Sequence, residues 1–101
     1  MKKIYSGKNG GYKNKVYYEI NNGEFTIMQV SSKGLFSGKS KIEYHLDKNN
    51  TDKLLSLISE ENIRKTFGSE AGFLSFKDYC MNNKIDFNCM MNMVNWLKSR
   101  V

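Results

Sequence analysis

From Lys15 to Val30 apolar and polar residues alternate on both sides of Asn22-Gly23, and this is the clearest structural signal in the chain. Both central residues of a two-residue type I′ turn need positive φ, which Asn tolerates and Gly adopts without steric cost. A turn at that point pairs Ile20 with Phe25, Tyr18 with Ile27 and Val16 with Gln29, so that one face of the hairpin is almost wholly apolar. The other face carries Lys15, Tyr17, Glu19, Thr26, Met28 and Val30, a mixed surface fit for water or for a partner.

The pattern extends to both sides of the hairpin. Lys2 to Ser6 reads as a short strand with Ile4 facing inward, broken by the glycines at 7, 10 and 11, which read as a flexible connection. Ser31 to Ser40 reads as a loop from its Gly and Ser content, with Leu35 and Phe36 either tucked onto the core or standing exposed for a partner. Ile42, Tyr44 and Leu46 then alternate with Lys41, Glu43 and His45, the period of a half-buried strand. These segments predict an antiparallel sheet of three to four strands in the N-terminal half.

After Asp47 the period changes to that of helices. Asn50 or Thr51 is the expected cap of a first helix, on which Leu54, Leu55, Leu57 and Ile58 crowd one side. Ile63 and Phe67 fall on nearly the opposite side at 100° per residue, so one straight helix to Gly68 is not expected. Ser59 instead caps a second helix, with Glu60 and Glu61 in its first turn and Gly68 at its end. Ser69 caps a third, whose face holds Phe73, Phe76, Lys77 and Cys80. Residues 84–87 alternate briefly and could add an edge strand. Asn88 can cap a last helix with Cys89, Met90, Met93, Trp96 and Leu97 in one stripe, the alternative being a terminal strand. Strands first and helices afterwards define an α+β class, with three to four short helices on one face of the sheet.

Length and composition narrow the class. A chain of 101 residues suits one domain, 1–101, and 40% hydrophobic with 26% charged residues is the balance of a globular protein rather than a disordered tail. The N-terminus has no apolar run of signal-peptide length, and no later run is long enough to span a bilayer, so no membrane association and a cytoplasmic location are expected. Cys80 and Cys89 match neither a zinc spacing nor a redox CxxC pair, and read as reduced core thiols. The lysine and asparagine content, with almost no arginine, points to AT-rich coding such as that of a low-GC bacterium or its phage.

Charge is what gives the N-terminal half a functional reading. Residues 1–41 hold eight lysines against Glu19 and Glu24, which accounts for the whole net charge of +6. Tyr12, Lys13, Lys15, Tyr17, Lys33, Leu35, Phe36, Lys39 and Lys41 are accordingly the candidate partner-binding residues, lysines interleaved with rings and one apolar loop.

Chemical motifs are weak by comparison. Gly34 to Ser40 ends like a phosphate-binding loop, but it has three residues between its glycines instead of four, and no helix follows it. His45 is the single histidine and has no Ser, Cys or carboxylate constellation pointing to it in the sequence, so it reads as a surface histidine. No catalytic residue, metal ligand or cofactor is expected. The expectation is a small non-enzymatic binding protein acting through protein-protein contacts. It would resemble in type a phage or mobile-element inhibitor of a host system, or a toxin-neutralising partner, bound to a protein with an acidic rim. The other reading is a nucleic-acid-binding protein that takes DNA or RNA without sequence preference, since arginine, the residue that reads guanine edges, is nearly absent.

Overall fold

The computed structural model describes residues 1–33 and 39–94. In it β1 (Lys2–Asn9), β2 (Tyr12–Asn21), β3 (Glu24–Ser32), β4 (Lys39–Leu46) and β5 (Asn88–Val94) form one antiparallel sheet in the order β1-β2-β3-β4-β5. Helices α1 (Lys48–Leu57), α2 (Glu60–Phe67) and α3 (Glu70–Asn82) lie between β4 and β5 in the chain. The architecture is the expected α+β class, with one strand more than the upper expectation.

The central hairpin has the register its turn dictates: Ile20 lies opposite Phe25, Tyr18 opposite Ile27 and Val16 opposite Gln29. Asn22 and Gly23 take φ of 55° and 77°. The glycines ahead of it behave differently from expectation. Gly7 stays within β1, where the Tyr5 ring lies over the space a side chain would need, and Gly10 and Gly11, at φ 57° and 85°, make a second tight turn. The 7–11 segment is therefore mostly strand and hairpin turn, because two consecutive positive-φ residues match the strand twist. Ser31, Ser32, Lys39 and Ser40 likewise belong to strands and shorten the expected loop.

Every strand residue of the core projects from one face. Val16, Tyr18, Phe25, Ile27, Tyr44 and Leu46 meet Leu54, Ile63, Phe67, Phe73, Phe76 and Cys80 of the helices. Phe76 is the hub of an aromatic cluster, with Phe25, Tyr44 and Phe67 at ring-centroid distances of 5.6, 5.7 and 5.0 Å. Burial of this size is what orders the helices, since α2 at eight residues is too short to persist alone.

The first turn of each helix is also fastened to the sheet by polar groups. Thr51 of α1 accepts from the backbone N–H of Phe25 (2.9 Å). Glu60 of α2 accepts from the Tyr18 hydroxyl (2.9 Å). Glu70 of α3 accepts from the Asn14 side-chain amide and, with its other oxygen, from that of Asn9 (3.1 Å). Ser59 and Ser69 cap α2 and α3 as expected, accepting from the N–H groups of Asn62 and Gly72.

Three expectations are overturned here. Asp47, not Asn50 or Thr51, caps α1, because both of the latter are buried and committed elsewhere: Asn50 accepts from the backbone N–H of Asp86 at 2.9 Å. Of the α1 stripe only Leu54 is fully buried, and Leu55 and Leu57 face outward. Residues 84–87 are not a strand, and of the two readings offered for the last segment, helix or strand, 88–94 take the strand. Lys84 at φ 57° ends α3 instead, with Ile85 N–H donating to the Cys80 carbonyl (2.8 Å) and Lys84 N–H to that of Met81 (3.3 Å), a Schellman motif. The chain is thereby turned back to pair with β4, whose edge groups would otherwise lack partners. Trp96 and Leu97 lie outside the described residues.

Candidate interaction face

Among the described residues, the opposite face of the sheet contributes none to the hydrophobic core. Its side chains fall into rows fixed by register. Lys8, Lys13, Ser32 and Lys39 form the first row, and Ser6, Lys15, Val30 and Lys41 the second. Lys3, Tyr17, Met28, Glu43 and Met90 form the third, and Glu19, Thr26, His45 and Asn88 the fourth, with Asn21 and Glu24 beyond it at the hairpin end. Charge is therefore graded along the strands. Lysines occupy one end, a row with Tyr17, Met28 and Met90 the middle, and Glu19, Glu24 and His45 the other end.

The grading is held by local pairs. Lys41 Nζ sits 3.8 Å from Glu43 Oε1, and Glu43 is only 15% accessible, so from β2 to β5 the middle row presents mainly its ring and thioethers, with the exposed Lys3 at its β1 end. At the far end Glu24 accepts from His45 Nε2 (2.7 Å), and His45 Nδ1 lies 2.8 Å from Thr26 Oγ1. In the neutral ring the proton stands on Nε2, because a carboxylate can only accept, and Nδ1 takes the Thr26 hydroxyl proton. Hydroxyl, imidazole and carboxylate follow one another as in a nucleophile relay, yet Thr26 is 6% accessible and does not present its oxygen to a substrate. The relay ties β3 to β4 and fixes the imidazole edge.

Of the residues expected to bind a partner, Lys13, Lys15, Tyr17, Lys39 and Lys41 are brought together on this face. Tyr12 and Lys33 are not: they stand on the helix side at the sheet's end, Tyr12 46% accessible and Lys33 Nζ 5.3 Å above its ring. Leu35 and Phe36 lie outside the described residues. Lys8, counted with the basic residues but left out of the candidate set, extends the first lysine row onto β1, and Lys3 joins the third row beside Tyr17. The carboxylate partner of His45 was missed. The Asn22-Gly23 turn fixes the register of β2 on β3 only, so the β3–β4 pairing that sets Thr26 beside His45 carried no signal in the sequence.

Elsewhere the chemistry is that of packing. Burial pushes the Cys80 thiol up to about 12 and raises the Tyr44 and Tyr79 hydroxyls above their ordinary range. Tyr18 is raised by burial first and by its Glu60 hydrogen bond second. Cys80 and Cys89 are both free, Cys80 buried and Cys89 exposed, so only one of the two is the core thiol expected. A shallow hollow of about 380 Å³ opens between β1 and α2, lined by Lys3, Ile4, Glu61, Arg64 and Lys65. Among the described residues no three His, Cys, Asp or Glu side chains gather as metal ligands, and no helix is long and apolar enough to cross a membrane.

Fold and face thus define an α+β domain whose helices cover one side of the sheet. No family model, curated protein or solved structure matches the chain.

Proposed function

We propose that this is a small binding protein that docks the sheet face left uncovered by α1, α2 and α3 onto another protein, and that it acts without catalysis. The observation that carries the reading is the middle row of Tyr17, Met28 and Met90 set between a lysine end and a glutamate end. An apolar centre with charged flanks of both signs is the anatomy of a protein interface, in which the centre supplies affinity and the flanks set on-rate and orientation. A partner with an acidic rim would lie over the Lys8, Lys13, Lys15, Lys39 and Lys41 end. A stoichiometric inhibitor of a host system, or a toxin-neutralising partner, suits such a domain. Two free thiols suit a reducing cytoplasm as its place of action.

A second reading is favoured by one specific feature, the two adjacent lysine rows beside Tyr17, which could take phosphates and a stacked base of DNA or RNA. The glutamate end argues against it, because a polyanion following the strands would run onto Glu19 and Glu24. Fluorescence anisotropy against short single- and double-stranded DNA and RNA at two salt concentrations separates the two. Protein docking predicts little or no binding. Saturable binding that weakens log-linearly with salt establishes the nucleic-acid reading instead.

A further inference from the structure

We infer that the open face is self-complementary and that in the free protein it is covered by the open face of a second copy. The two copies are related by a two-fold axis running across the strands through the Tyr17–Met28–Met90 row. This rests on reading the face as a protein interface, and it names the first occupant of that interface.

Two sheets that pack face to face keep their strands within about 30° of alignment. For a symmetric pair that leaves two choices of axis. An axis along the strands sets the lysine end of one copy on the lysine end of the other. An axis across the strands sets each lysine end on the partner's glutamate end, so that the Lys15 row meets the Glu19 row and the Lys13–Lys39 row lies over Glu24. Only the second arrangement is electrostatically favourable, and like-charge juxtaposition disfavours the first. Met28 on β3, the middle strand, then meets its own copy, with Tyr17 and Met90 to either side. Two charged residues of the row, Glu43 and Lys3, are set against their own copies: Glu43 brings its own counter-ion, Lys41 at 3.8 Å, and Lys3 stands exposed on the edge strand β1, at the rim of the pair.

The size of the face fits. Five strands about 4.8 Å apart and about nine residues long at about 3.3 Å each span about 700 Å², close to the about 800 Å² per partner of a stable interface. A closed isologous pair also buries the exposed thioether of Met90, which in the single chain faces water.

Sedimentation velocity on the full chain over a range of concentrations tests this. The wild type is expected to be a dimer, and Met28→Arg a monomer with an unchanged circular-dichroism melt, since Met28 makes no core contact. Lys15→Glu and Glu19→Lys should each weaken the homodimer by about tenfold or more. Mixing those two variants should restore a dimer, because each charge reversal then faces the other. A wild type that stays monomeric up to about 1 mM, or a dimer that Met28→Arg leaves intact, overturns the inference. Failure of the underlying reading looks different: it is salt-dependent binding of DNA or RNA by the lysine rows.

Discussion

Thr51 Oγ1 accepts a 2.9 Å hydrogen bond from the backbone N–H of Phe25 and donates to the Leu46 carbonyl at 3.3 Å, so one hydroxyl joins α1 to both β3 and β4. Thr51 is 1% accessible and no water can replace it. Thr51→Val keeps the shape and strands a buried N–H, and should cost about 1–3 kcal/mol in a urea melt with the m-value unchanged. Thr51→Ser keeps the hydroxyl and should lose less.

Lys84 holds the left-handed position that ends α3, at φ 57°, where a side chain is strained and glycine is not. Lys84→Gly should therefore stabilise the protein by about 0.5–1 kcal/mol in thermal or urea melts. An equal loss would show that the Lys84 side chain contributes more than its backbone strain removes.

The buried thiol and phenols make the protein sensitive to alkali. Cys80 titrates at about 12 in the fold, and Tyr18, Tyr44 and Tyr79 are raised as well. A raised folded value leaves the native state holding more protons than the unfolded chain, so this stability is complete below the unfolded thiol value. It is lost as pH rises from there toward the folded one. Melts should fall over that alkaline window, and Cys80→Ala should flatten the fall. Native alkylation should modify Cys89 and spare Cys80 until the chain unfolds.

On the acid side the relevant group is Asp47. Hydrogen bonds from the Asn50 backbone N–H and then from its side-chain amide hold the Asp47 carboxyl below its ordinary value. Its contribution is present above the unfolded carboxyl value and is lost as pH falls through the folded one. Asp47→Asn still caps α1 and should make acid melts less steep in that range, which a pH series of thermal melts would read directly.

The lysine rows allow a test of charge alone. Reversing Lys13, Lys15, Lys39 and Lys41 to Glu should leave the fold intact, because none belongs to the core. Under the protein-docking reading these reversals slow association with a partner while Tyr17→Ala and Met28→Ala speed its dissociation, measurable by surface plasmon resonance. The opposite pattern would transfer the affinity from the apolar row to the charges.

Much of the fold could be read directly from local chemistry. Asn22-Gly23 set the hairpin register, Ser59 and Ser69 set two helix starts, and Phe73, Phe76 and Cys80 lay on one face as their spacing required. What failed to be legible shares one cause. Asn50 and Thr51 are good caps in isolation, but the backbones of Asp86 and of β3 and β4 claim their side chains. The methionines of 88–94 suit a helix and a strand about equally, and pairing with β4 settles the matter. On the candidate face Lys15, Tyr17 and Lys41 were visible as alternation, whereas Lys39 fell in the expected loop and Lys13 ahead of the expected hairpin, and Tyr12 and Lys33 turned to the other side.

The α+β order, the hairpin register, the apolar face and the concentration of positive charge in the first 41 residues are local properties of the chain, because each depends on neighbours within a few positions. That residues 88–94 are a strand, that Glu24 reaches His45, and that lysines and glutamates occupy opposite ends of one surface are settled by the assembled sheet. Those outcomes follow from pairing between distant strands, where unmet backbone hydrogen bonds and burial against the helices outweigh the weak preferences of the local chain.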